Sequence, residues 1–147
     1  MEPSYFYLNN KFPKGVSAKI PSDLKQYGIL CGVRGFNYVN FGQKNEGVDM
    51  GASDYEGLVA KTATCRCDIS FVRYEILSGW GVILGIDFIG NKNLTYAPVP
   101  NNSTETFHIM ISKNYKPSQE LKIFFESEVD RLERSGKLKL FLSKYSK

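Results

Sequence analysis

The sequence predicts an α/β fold, a largely parallel sheet flanked by helices. Three observations predict it. Tyr27 to Tyr38 (YGILCGVRGFNY) is apolar from Ile29 to Val33 and breaks at Arg34-Gly35. A short apolar run bounded by glycine reads as a strand buried on both faces, the kind found in parallel sheets covered by helices. Cys67 to Tyr74 (CDISFVRY) is a second run of that kind. Between them, Ser53-Asp54-Tyr55-Glu56 has the form of a capping box, with Ser53 and Glu56 in reciprocal positions. The helix it opens carries Tyr55, Leu58, Val59 and Thr62 on one face. Strands alternating with helical patterns give βαβ units.

The other elements follow in order. Ser4 to Asn9 (SYFYLN) is an aromatic strand. Lys11 to Pro21 is broken by Pro13, Gly15 and Pro21 and reads as a loop. Ser22-Asp23-Leu24-Lys25 is one helical turn capped by Ser22. Tyr38 to Asn45 is polar and aromatic, with room for one or two helical turns, and Gly47 to Ala52 is a short strand. Ile76 to Leu84 is apolar and helical in pattern, although Gly79, Gly81 and Gly85 weaken it. Leu94-Thr95-Tyr96 is a strand within a loop that runs from Asn91 to Glu105. Phe107 to Ser112 (FHIMIS) reads as a third clear strand. Pro117-Ser118 opens a long helix with Leu121, Phe124, Phe125, Val129 and Leu132 on one face, and Gly136 suits its end. A last helix carries Leu138, Phe141, Leu142 and Tyr145.

At 147 residues the chain is expected to be one domain with a sizeable core. Its 42% hydrophobic and 23% charged residues place it among ordinary globular proteins rather than disordered or membrane-spanning ones. A net charge of +4 without a concentrated basic face gives no expectation of nucleic-acid binding. Ten Phe and nine Tyr leave rings both for a core and for a binding surface.

Little in the sequence points to catalysis. GxSxG, Walker, GxGxxG and HExxH motifs are absent. The carboxylates Asp49, Asp54, Asp68, Glu75 and Asp87 are scattered and form no acid–base pair. His108 lies near the start of an apolar run, where a structural role is expected. The three cysteines are too few for a disulfide framework; Cys31 reads as a small buried hydrophobe, and Cys65-Arg66-Cys67 lacks a second pair for zinc. No enzyme activity, metal or cofactor is therefore expected.

In open α/β sheets, ligands sit at the carboxyl ends of the strands. That rule selects Arg34, Gly35, Phe36, Asn37 and Tyr38 after one buried strand and Arg73 at the end of the other. Ser53 adds a backbone N–H at a helix start.

With these elements in order, the chain resembles a bacterial extracellular solute-binding protein of family 3, the amino-acid-binding type. The resemblance rests on Ser22-Asp23-Leu24-Lys25 leading into Ile29 to Tyr38, then on a short strand, a capped helix and Arg66-Cys67-Asp68. It continues through FHIMISK and the two terminal helices, so it runs from about Ser4 to Tyr145. It implies a periplasmic-binding-protein-like lobe, with about residues 8–100 as the second lobe and 105–147 as a returning strand and C-terminal helices. It also implies non-catalytic binding of a small polar solute by hinge closure with a first lobe that this chain lacks. The implied partners are the solute and the membrane subunits of an ABC transporter, or a sensor. The implied location is periplasmic if a signal peptide and first lobe precede residue 1; none is visible here. One departure concerns recognition: the family often has an acidic residue five positions after Asp68 for a ligand amino group, and Arg73 stands there. Arginine suits an anionic or accepting group instead. The alternative reading is an interaction protein, a homodimer formed through the apolar face of the terminal helices.

Overall fold

The computed structural model describes residues 1–102 and 108–145. The chain divides into two units, Met1–Glu105 and Thr106–Lys147.

The first unit holds a five-stranded sheet and two helices. Its strands are β1 (Pro3–Leu8), β2 (Leu30–Val33), β3 (Asp49–Ala52), β4 (Ile69–Arg73) and β5 (Leu94–Pro98), in the order β3-β2-β4-β1-β5. Helix α1 (Tyr55–Ala63) lies between β3 and β4 in sequence, and α2 (Tyr74–Leu84) follows β4 directly. The α/β class with a helix-flanked sheet holds. The sheet is mixed, however. β2 runs parallel to both β3 and β4, whereas β1 is antiparallel to β4 and β5. The expectation of a largely parallel sheet therefore applies to its β3-β2-β4 half. β1 is buried along its whole length because it lies between two strands and under residues on both faces.

Strand periodicity sorts the core into two layers. Phe6, Cys31, Val33, Val72 and Leu8 face the layer that α1 and α2 cover with Tyr55, Leu58 and Leu77. Tyr5, Tyr7, Leu30, Ile69 and Phe71 face the other layer, filled by Leu24, Tyr38, Phe41 and Val48 from the loops. On the helix side, the buried hydroxyls of Thr62 (α1) and Ser70 (β4) share a hydrogen bond of 2.7 Å, so neither is left unsatisfied. On the loop side, the 3-10 turns Pro21–Tyr27, Val39–Phe41 and Asn45–Gly47 replace a helix.

Two local expectations are corrected here. Asp23, not Ser22, closes the first 3-10 turn: its carboxylate accepts from the N–H groups of Lys19 and Ile20. Asp54, not Ser53, caps α1, accepting the Gly57 N–H at 2.7 Å. Either carboxylate is as good a cap as serine, and only the backbone path decides between neighbours.

The cysteine reading is also corrected. Cys31 and Cys67 form a disulfide, with 5.8 Å between their Cα atoms. Both are almost wholly buried. The bond ties β2 to the residue that leads into β4, beside the paired positions Leu30–Ile69 and Cys31–Ser70. Next to it, Asp68 accepts the Ile29 N–H at 2.7 Å and forms an ion pair with Lys11. Cys65 is free and exposed.

The second unit contains α3 (Ser118–Arg134) and α4 (Lys137–Tyr145). Gly136 between them takes φ +70, the left-handed conformation that ends helices at little cost to glycine. The third predicted strand does not form: residues 108–112 have no regular structure, and Phe107 lies outside the described residues. Alternating apolar residues make a strand only where a neighbour accepts the ladder. Ile123, Phe124, Val129, Leu140 and Phe141 are exposed. Among the described residues no helix is long and apolar enough to cross a membrane, and no group of side chains could hold a metal ion.

Candidate functional site

The carboxyl ends of β2, β3 and β4 share one edge because these three strands are parallel. The chain leaves β2 for β3 on one side, then returns through α1 to β4 on the other. Strand order therefore reverses between β2 and β4, the switch point where α/β sheets open a crevice.

Three segments meet that edge: Arg34 to Tyr38 after β2, Ser53-Asp54 after β3, and Arg73 at the end of β4. Each selected residue has a definite place. The Arg34 N–H donates to Ala52 O at 2.8 Å, which keeps its backbone in the β2–β3 ladder while its side chain is exposed. Gly35 has φ +84 and open space around it, as a reversal after a strand requires. Phe36 is 38% exposed and meets Tyr55 edge-on, with ring centroids 6.0 Å apart. Asn37 accepts the Val39 N–H at 3.0 Å and so shapes the next turn. Ser53 is exposed, and its hydroxyl donates to Asp54 at 3.0 Å.

Tyr38 stands apart. It is 2% exposed, and its hydroxyl donates to Val33 O at 3.1 Å. Its ring packs on Phe41 and Phe71, at 5.4 and 5.9 Å between centroids. The Tyr38 N–H is held by the Asn45 side chain at 2.8 Å. Tyr38 is the floor under the loop, anchored at both ends. Arg73 is half-buried, with its guanidinium 5.0 Å from the centre of the Phe41 ring. Such a contact gives roughly 0.5–2 kcal/mol and fixes the side chain in place.

The electrostatics show how close these groups are. Burial pushes the Tyr38 hydroxyl up to about 12; Tyr55 adds to the rise, and the nearby Arg73 opposes it. Burial also raises Tyr55, again opposed by Arg73. So Arg73, Tyr38 and Tyr55 feel one another's charge, and both tyrosines are neutral near pH 7.

Phe41 and Tyr55 belong to this cluster and were not among the residues the sequence selected. Tyr55 matches the apolar helical face and reads as core. The signal that could have found it is its position, directly after a strand end and level with the Arg34 loop. Glu75, in the first turn of α2, accepts the Glu2 N–H at 3.2 Å and is thereby directed toward β1, away from β2.

No family model and no curated protein matches the chain. Among solved structures, the crystal structure of an ancestral cyclohexadienyl dehydratase matches with 11% identity and a TM-score of 0.41. The match covers 98% of this chain and 56% of that one, so the chain spans little more than half the length of that protein. That protein is, by its name, an enzyme. The expectation of a chain without enzymatic activity is corrected on that finding. At this identity and TM-score, no substrate, residue role or reaction passes to the present chain.

Proposed function

We propose that this chain binds a small polar solute, an amino acid or a carboxylate-like molecule, as part of a transport or sensing receptor. What carries the reading is the strand order, which sets the carboxyl ends of β2, β3 and β4, where Arg34, Ser53 and Arg73 follow or close the strands, along one edge of the sheet at its switch point. Arg34, Gly35, Phe36, Asn37 and the Ser53 backbone form the contact surface, and Arg73 supplies charge from beside the Phe41 ring. Tyr38 acts from below, holding the loop. The exposure of the loop and of Phe36 leaves this surface as one wall. Hinge closure of a first lobe over it would exclude water from the solute. Membrane subunits of an ABC transporter, or a sensor, are the partners this reading calls for. The buried Cys31–Cys67 bond supports an oxidising location such as the periplasm, since disulfides persist there and are rare in the cytosol.

A thermal-shift screen with amino acids, small carboxylates and neutral sugars tests the proposal. A solute at a hundred times its dissociation constant adds about 2.7 kcal/mol, or roughly 10–20 °C for a unit of this size. Phe36→Ala and Asn37→Ala should reduce that shift. A screen in which no solute raises the melting temperature removes the reading.

A second reading has its own support in the exposed Ile123, Phe124, Val129, Leu140 and Phe141 of the second unit. Apolar side chains of this size on amphipathic helices favour self-association. Sedimentation should then show a dimer that Phe124→Glu returns to monomer. A clean monomer at high concentration would remove this second reading.

A further inference from the structure

We infer that α4 is a docking surface for an anionic lipid bilayer, with lysines on the headgroups and two apolar side chains in the boundary beneath them. The residues that form it all lie in the second unit, outside the proposed solute site.

Charge is divided unevenly along the chain. Residues 1–105 hold ten basic and ten acidic side chains, so the whole net charge of +4 belongs to residues 106–147. Within that segment all five acidic residues stand on α3. There α3's own bases meet them: Lys122 pairs with Glu126 at 3.6 Å, Arg131 with Glu128 at 2.7 Å and Arg134 with Asp130 at 3.8 Å. After Glu133 the sequence has five basic residues and no acidic one. Lys137 and Lys139 are exposed, and among the described residues neither has an ion-pair partner. The excess positive charge is therefore left at α4.

Apolar side chains share that surface. Lys137, Leu140 and Phe141 stand at i, i+3 and i+4 and so line one face of the helix. α4 packs against α3, and Leu138 is half-buried. Leu140 and Phe141 remain 72% and 62% exposed. A helix with lysine beside leucine and phenylalanine has the make-up of one that lies in the plane of a bilayer interface. The long lysine stem lets the ammonium reach a phosphate while its methylenes stay with the apolar layer.

Charge complementarity selects the lipid. A second copy seated symmetrically on this face would set the lysines of the two chains against each other, with no acidic residue on α4 to separate them. A nucleic acid or an acidic protein tail would neutralise the lysines but leave Leu140 and Phe141 in water. An anionic bilayer meets both needs: its surface potential attracts lysine, and its acyl boundary takes leucine and phenylalanine.

Co-sedimentation of the full chain with vesicles tests this, using phosphatidylcholine alone and phosphatidylcholine with about 30% phosphatidylglycerol. Binding to the anionic vesicles should be at least tenfold tighter than to the neutral ones, and it should weaken as salt rises from 50 to 500 mM. Lys137→Gln with Lys139→Gln should lose at least threefold in affinity, and Leu140→Gln with Phe141→Gln at least tenfold. All four positions are exposed, so both double variants should keep the wild-type melting temperature. Equal binding to both vesicles, binding to neither, or anionic binding indifferent to Leu140→Gln with Phe141→Gln overturns the inference. A dimer that this same pair of substitutions returns to monomer, with no vesicle binding, assigns the face to a second copy and overturns it too. So does a DNA oligonucleotide that binds as tightly as the anionic vesicles and ignores the apolar substitutions. Solute binding stands or falls separately, by the thermal screen.

Discussion

Replacing Cys31 and Cys67 together by Ala should lower the melting temperature of the first unit by roughly 15–25 °C. The bond closes a loop of sequence separation 36. The chain-entropy estimate for such a loop is about 3–4 kcal/mol, and each kcal/mol moves a unit of about 100 residues by roughly 4–8 °C. The location enlarges the effect. The bond joins the start of the β2–β4 pairing, where two parallel strands meet across a gap in sequence that also contains β3 and α1. Without it, that long-range pairing must form against the full closure entropy. Cys65→Ser is the control and should melt like the wild type, since Cys65 is exposed and outside the bond. A thermal melt of the double variant within about 3 °C of the wild type would show that the bond contributes nothing. The consequence for function is direct. β2 and β4 carry Arg34 and Arg73, so the staple sets the spacing of the charges at the proposed site.

What was legible in the sequence divides along physical lines. β2 and β4 were legible because a continuous apolar run has few other uses in a chain of this length. The helix before β4 was legible from its apolar period, and its start was misjudged by one residue because Ser53 and Asp54 are both good caps. The direction of β1 was not legible: Ser4 to Asn9 has the composition of any buried strand, and only its partners β4 and β5 fix its sense. The disulfide was hidden by the odd cysteine count. Which two of three cysteines pair is a question of distance across the sheet, and sequence spacing does not supply it. FHIMIS failed for the opposite reason, since its alternation is good and residues 108–112 still form no strand. At the candidate site, the rule about strand ends located Arg34 and Arg73 from sequence. It did not separate Tyr38, which is floor, from Phe36, which is surface. Both are aromatic residues in one turn, and only the Tyr38 hydroxyl bond to Val33 O reveals the difference.

That bond leads to the second large effect, Gly32→Ala, which should destabilise the first unit by about 2–5 kcal/mol. Taken alone, glycine to alanine in a strand is expected to help, because the unfolded chain loses freedom, by roughly 0.4–1 kcal/mol. Here a Cβ on Gly32 would overlap the end of the Tyr38 ring. The ring has no room to retreat, with Phe41 and Phe71 against it and its N–H tied to Asn45. Overpacking of a filled core costs about 1–3 kcal/mol. Displacing the hydroxyl leaves the Val33 carbonyl without its partner, a further cost of about 1–3 kcal/mol. The opposing terms do not balance, and the clash wins. The two sites must therefore be coupled: Tyr38→Ala removes the obstacle, so the double variant should be less unstable than the sum of the single ones by at least about 1 kcal/mol. Urea unfolding of the four proteins measures this coupling. Strict additivity, or a stabilised Gly32→Ala, would mean that Tyr38 does not lie across Gly32. The same clash bears on binding, since a displaced Tyr38 carries the Arg34 to Asn37 loop with it. Gly32→Ala should then weaken solute binding without touching any residue of the contact surface, whereas Tyr38→Phe, which keeps the ring in place, should weaken it less.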